Sequence, residues 1–214
     1  VCAHDQQRTP QCDAGDALRE KPDVLIVATG GMNGSDGRQA TIPGELPTGM
    51  TLPHVIDADT LLTAPANFLN GKKTALVFDD VGRYPAVAAA EHLTRAGLAV
   101  TFVTSQTSFA SKMYGSFRDI ESLRRLSQGP FRLLVSHYLS AVRADRCVVH
   151  ARGSDRMEDI AADIVVVVTH ALPVRELFDE LRGKLPAIHL VGDALSPRDL
   201  QAAIHEGHHC ARSL

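Results

Sequence analysis

Residues 74–97 read TALVFDDVGRYPAVAAAEHLTRAG and run directly into LAVTFVT at 98–104. The apolar, β-branched stretch 74–78 predicts a buried strand. Pro85 near a first turn and Gly97 as a stop predict a helix over 85–96, and 98–104 supplies a second strand. A strand, a helix and a strand at this spacing make a parallel β-α-β unit with a right-handed crossover.

The turn after the first strand is where a dinucleotide fold carries G-x-G-x-x-G. Here those positions hold Val81, Arg83 and Ala86, and only the intervening Gly82 is glycine. Side chains at the glycine positions, and the missing donor of Pro85, obstruct close passage of a pyrophosphate while leaving the fold signal intact. Arg83 suits either a charge-assisted phosphate contact or a surface position at a helix start. Asp79 and Asp80, with no third acidic or imidazole partner nearby, read as a solvated turn.

Outward from this unit, DVLIVAT at 23–29 lacks polar alternation and reads as a buried strand closed by Gly30-Gly31. Residues 32–53 form a connection rich in Gly, Pro, Thr and Asn. A helix is expected near 57–62 and another at 117–126, with short strands at 132–136 and 146–150. ADIVVVVTH at 162–170 is the strongest central-strand signal. A helix at 173–181, a strand at 187–191 and a terminal helix at 197–211 complete an α/β chain. The block 71–160 looks inserted between 1–70 and 161–214, which predicts that 23–29 and 163–169 share one sheet.

Residues 188–211, IHLVGDALSPRDLQAAIHEGHHCA, contain the best candidate site. Gly192 permits close approach, and Asp193 can accept from a ribose or ribityl hydroxyl. Ser196 at a cap, Pro197 at the first helical position and Asp199 three residues after the cap predict a helix whose first-turn amides, around Arg198, suit an anion. The same pattern also serves a turn with no ligand. His205, His208, His209 and Cys210 read as a helix with incidental histidines, so no metal site is expected. His170, at a strand end, fits a loop carbonyl better than a redox centre. No Ser-His-Asp grouping appears, and no catalytic acid, base or nucleophile is assigned.

Composition excludes further classes. With 22 Lys+Arg against 25 Asp+Glu, nothing favours nucleic acid or an anionic membrane as partner. No apolar run is long enough to span a bilayer and no signal peptide begins the chain, so a cytoplasmic protein is expected. Cys2, Cys12, Cys147 and Cys210 lack the spacing of a zinc ribbon, cluster or disulfide framework. A first residue that is not Met, followed by a polar stretch with Pro10 and Gly15, reads as a piece of a larger protein.

The order of DVLIVATGG (23–31), SDG (35–37), IPG (42–44), the 71–104 unit, ADIVVVVT (162–169) and LVGDALSPRDLQAAIHEG (190–207) resembles the C-terminal region of the NADH:flavin oxidoreductases of the trimethylamine dehydrogenase and 2,4-dienoyl-CoA reductase type. The resemblance implies two interleaved Rossmann-like dinucleotide-binding domains, the first incomplete at its N-terminal side. Residues 1–70 would be a partial FAD/ADP-binding domain with its connection, 71–160 an inserted NAD(P)-binding-like domain, and 161–214 the return segment.

It further implies that Ala28, Thr29 and Gly30 line the cofactor crossing, while Gly192, Asp193, Pro197 and Arg198 approach FAD or a retained ADP. Gly82 and Arg83 mark the degenerate NAD(P)H turn. The missing upstream part would carry an FMN barrel, with or without a 4Fe-4S cluster, acting on a small-molecule redox substrate. The altered second turn looks closer to the amine-dehydrogenase branch, whose electrons leave to an electron-transfer flavoprotein. On that basis the parent is expected to oxidise an amine or N-methyl compound, and the isolated chain is expected to be inactive. NAD(P)H-to-flavin transfer of the dienoyl-CoA-reductase kind, and a noncatalytic nucleotide-fold remnant for assembly or acceptor docking, are the alternatives.

Overall fold

A run of five aliphatic residues, Ile164 to Val168, can be accommodated only where both faces of a strand are covered. The computed structural model, which describes residues 12–65 and 67–214, provides that cover. The chain divides into two units: residues through Met32 together with Ala171–Leu214, and Asn33–His170.

The first unit begins with α1 (Ala14–Glu20), held by a capping box in which Asp13 and Asp16 each accept from the other's amide. β1 (Leu25–Val27) follows, and the chain leaves through β2 (Gly31–Gly34). The second unit then runs β3 (Val55–Ile56), α2 (Ala58–Thr63), β4 (Thr74–Asp79), α3 (Tyr84–Arg95), β5 (Ala99–Thr104), a 3-10 turn at Ser111–Ser116, α4 (Arg118–Leu126) and β6 (Phe131–Leu134). Three antiparallel strands come next, β7 (His137–Val142), β8 (Arg146–Ala151) and β9 (Met157–Ala161). The chain returns through β10 (Ile164–Pro173) to α5 (Glu176–Leu181), β11 (Ile188–Leu190) and α6 (Leu200–Arg212).

In the second unit β10, β4, β5 and β6 lie side by side and parallel, and β3 also pairs parallel with β10. One face of this sheet carries Ala75, Val77, Val100, Phe102, Ile164 and Val166 against α2 and α3. The other carries Leu76, Phe78, Val103, Val165 and Val167 against Leu139, Cys147, Val149 and Ile160 of the antiparallel strands. Strand alternation thus sends odd and even residues of the same apolar run into two cores.

The long connection is ordered along β7. Buried Gln39 donates to the Leu139 carbonyl at 2.8 Å and accepts from the Leu139 amide at 2.9 Å, beside a register shift in the β7–β8 ladder. Gly49 has φ +80, and a Cβ there would lie 2.0 Å from the Val142 carbonyl, so only glycine fits. The result is an α/β fold with parallel and antiparallel sheets, consistent with a Rossmann-like dinucleotide-binding architecture. Among the described residues no helix is long and apolar enough to cross a membrane.

One expectation is corrected. β1 does not share a sheet with β10; it pairs in parallel with β11, Leu25 opposite Ile188 and Val27 opposite Leu190. β10 needs cover on both faces and finds it in the second unit, whereas Ile26 of β1 is 40% exposed. The helix near 57–62 and the helix at 117–126 form about where the spacing places them. β7 and β9 both lie outside the strands read from the sequence, because antiparallel strands facing a core on one side give a weaker apolar signal.

Phe102 is fully buried, and its ring centroid lies 5.0 Å from that of Phe109 and 6.3 Å from that of Phe131. Phe102→Ala is expected to lower unfolding free energy by about 3–5 kcal/mol, read by chemical denaturation at constant m-value.

Candidate functional sites

In the first unit the parallel pairing of β1 with β11 brings two carboxyl ends together, and the Val191 amide donates to the Val27 carbonyl at 3.1 Å. The bends that follow, 28–31 and 191–198, therefore leave the same end of the sheet, the position where ligands of open α/β folds bind. Ala28 and Thr29 are exposed and Gly30 is half-buried at φ +82. The Thr29 hydroxyl donates to the Val174 carbonyl at 2.5 Å, and the Val174 amide donates to the Gly30 carbonyl at 3.0 Å, which pins the bend. A Cβ on Gly31 would meet Pro197 Cγ at 3.1 Å, the Leu172 carbonyl at 3.2 Å and Asp193 Cβ at 3.5 Å. Two backbone segments thus pass each other at glycine distance, and the candidates of the first unit stand around one bend.

Their local chemistry differs from expectation. α6 begins at Leu200, not at Pro197, and its N-cap is Asp199, whose carboxylate accepts from the Ala202 amide at 2.8 Å. A short 3-10 turn, Gly192–Ala194, intervenes: the Leu195 and Ser196 amides both donate to the Gly192 carbonyl, which draws Ser196 out of the capping position. The Arg198 amide donates to Asp193 Oδ1 at 3.1 Å, and the Gly192 amide donates to Glu206 Oε2 at 2.8 Å. Arg198 also pairs through its guanidinium with Glu206. The amides of Gly192 and Arg198 are therefore engaged within the protein, while among the described residues the half-buried Asp193 accepts through Oδ1.

The second candidate lies in the second unit, where strand order reverses between β4 and β10. Asp79 and Asp80 are not a solvated turn there, since their exposures are 0% and 1%. The last residue of β4 is paired on both sides, by β5 and by β10, and the loop after β5 folds over it. In that loop Gln106 donates to the Asp80 carbonyl at 3.2 Å, Ser111 donates to Gln106 at 3.1 Å, and the Lys112 amide donates to the Gly82 carbonyl at 2.9 Å.

Asp79 Oδ1 accepts from the amides of Val81 and Gly82 at 3.0 and 2.8 Å, and Oδ2 accepts from the Thr104 hydroxyl at 3.3 Å. The turn amides that would cradle a phosphate thus already hold an internal anion. Gly82, at φ +75, is required by close packing, because a Cβ would lie 2.5 Å from Ser111 Oγ. Arg83 occupies the N-cap of α3 without a side-chain cap bond. Asp80 Oδ2 accepts from the Ala40 amide at 2.9 Å and lies 4.0 Å from Nε2 of exposed His170, while Asp80 Oδ1 and Thr169 Oγ1 are buried without a hydrogen-bond partner among the described residues.

Burial pushes the Asp79 carboxyl up from 3.8 to about 6, against the opposing pull of its three hydrogen bonds. Burial likewise pushes the Cys147 thiol up to about 12, which makes it an unreactive core residue. Among the described residues no group of three or more His, Cys, Asp or Glu side chains is arranged to hold a metal ion. Cys2 lies outside the described residues.

No family model matches the chain. A probable N-methylproline demethylase of Rhizobium meliloti (strain 1021) is 31% identical over 168 residues, 76% of this chain and 23% of that protein. Among solved structures, 6-hydroxypseudooxynicotine amine oxidase from Pseudomonas geniculata N1 superposes with a TM-score of 0.84 at 25% identity, over 92% of this chain and 30% of that one. Histamine dehydrogenase from Rhizobium sp. 4-9 gives a TM-score of 0.85 at 23% identity, over 95% and 32%. The chain thus spans between about a quarter and a third of the length of these proteins, and its likenesses include amine-oxidising enzymes and a CoA reductase without settling on one named family.

Because the native Asp79 carboxyl is raised, the stability contributed by its protonation is complete below its unfolded value and is lost as pH rises through about 6. Asp79→Asn keeps an acceptor for the Val81 and Gly82 amides and removes the charge. The variant is expected to be more stable than the parent chain at pH 7, by an amount on the order of 3 kcal/mol. Unfolding across pH 4–7 checks this, with the two proteins converging toward pH 4.

Proposed function

We propose that this chain is the cofactor-binding part of a flavin-dependent oxidoreductase that acts on an amine or N-methyl compound. The observation that carries the reading is the convergence of 28–31 and 192–198 at the carboxyl ends of β1 and β11, in a chain 31% identical to a probable N-methylproline demethylase. The residues present fit an adenine-containing cofactor: a Cβ on Gly30 would meet nothing within 4 Å, so the backbone there allows close passage, and Asp193 supplies an acceptor for a sugar or ribityl hydroxyl. Ala28, Thr29 and Gly30 form one wall, and Gly192, Asp193, Pro197 and Arg198 the other. When bound, FAD would supply hydride and electron transfer, whereas an ADP at the same place would supply only a structural anchor.

FMN, and a 4Fe-4S cluster where present, belong in this reading to an upstream barrel of the parent protein, together with the substrate. An electron-transfer flavoprotein is the acceptor that accompanies it, and the cytoplasm the compartment. This chain's own work is to orient the cofactor: the Thr29 bond to Val174 and the Asp193 bond to Arg198 hold the two bends still, so ordering them costs little at binding. No proton donor or nucleophile is assigned to it.

In the parent protein, Asp193→Ala is expected to weaken FAD or ADP retention by roughly 1.5–3 kcal/mol, the scale of a hydrogen bond to a charged group. Occupancy by absorbance and nucleotide release is measured beside circular dichroism, and Asp193→Asn, which keeps an acceptor for the Arg198 amide, separates cofactor contact from turn stability. Full retention in a folded Asp193→Ala protein rejects the contact.

NAD(P)H-to-flavin transfer is the weaker reading, because Asp79 fills the turn amides of the second unit and Val81, Arg83 and Ala86 stand at the glycine positions. Calorimetric titration of this chain with NADH and NADPH is expected to give no stoichiometric binding of submicromolar affinity; such binding would restore the reductase alternative.

A further inference from the structure

Residues 205–209 read H-E-G-H-H, so His205 and His209 stand four apart with Glu206 beside the first, which is an H-E-x-x-H spacing. Both histidines lie on α6, where an i, i+4 separation stacks side chains on one face. Their rings face each other with centroids 6.5 Å apart and planes within 2° of parallel. Both are exposed, and together with His208, Arg212 and Ser213 they line a surface concavity of about 340 Å³. Two imidazoles that can rotate toward each other across one helical turn are a bidentate donor set for borderline metals such as Ni²⁺, Cu²⁺ and Zn²⁺.

We propose that His205 and His209 form a transition-metal-binding site on α6 and that this site is not hydrolytic. In the metalloprotease version of the motif the glutamate acts as general base. Here Glu206 accepts from the Gly192 amide at 2.8 Å and pairs with Arg198, so its carboxylate is turned to the loop before the helix. With no third protein donor in position among the described residues, the remaining coordination sites belong to water or to a ligand from outside the chain. Arg212 opposes a cation only weakly, since water and salt damp the interaction between exposed charges. The site takes a metal that tolerates partial aqueous coordination, and it tethers that metal to the helix that also holds Gly192 in place.

The test is titration of the full 214-residue chain, free of any affinity tag, with NiCl2 followed by calorimetry. The expected result is one Ni²⁺ equivalent that disappears in the His205→Gln/His209→Gln double variant. Each single variant weakens it by at least about tenfold, the scale lost even when outer-shell partners of metal sites are removed. His208→Gln leaves it intact, and helix content by circular dichroism is the same throughout. Binding that survives in the folded double variant, or that is lost in His208→Gln and kept in His209→Gln, overturns the assignment.

Discussion

The pairing of β10 with β4 is the constraint on which the second unit depends. Ile164 to Val168 align with Ala75 to Asp79, residue for residue, and the apolar side chains of both strands enter cores on opposite faces. A one-residue slip would exchange the two faces, sending side chains shaped for the helical layer toward the antiparallel strands, so the register is strongly set. That register carries the ends of both strands with it. Asp79 and Asp80 are drawn to the level of Val168 and Thr169, where water is excluded, and the carboxyl of Asp79 is raised for that reason.

The two units use their strand ends differently. In the second, the turn amides are satisfied from within by Asp79, and the loop bearing Gln106 and Ser111 closes over the turn. Buried amides need an acceptor, and the Asp79 carboxyl supplies one from within the turn. In the first, the bends after β1 and β11 are pinned by Thr29, Val174 and Glu206 yet leave Ala28 and Thr29 exposed and Asp193 half-buried. Preorganised backbone beside an acceptor is what a bound nucleotide would use.

α6 joins two features that the sequence presents separately. Its Glu206 reaches back to the Gly192 amide and to Arg198, so the helix is fastened to the loop that carries Asp193. The same engagement removes Glu206 from the histidine pair one turn along and changes what an H-E-x-x-H spacing can do. A motif states which residues share a face; hydrogen bonding decides which of them remain available.

The α/β class, the β-α-β unit at 74–104, the central strand after residue 163 and the loss of glycine at Val81, Arg83 and Ala86 were legible in the sequence by itself, because aliphatic runs and Pro/Gly punctuation are local signals. The clustering of 28–30 with 192–198 was legible only through resemblance, since the two segments are separated by most of the chain. Tertiary structure alone decided that β10 joins β4 rather than β1, that α6 starts at Leu200, and that Asp79 and Asp80 are buried. Each of these depends on what covers a strand face or satisfies an amide from a distant segment. Such cover and such partners are set by the burial of the whole unit, and no short window of sequence contains them.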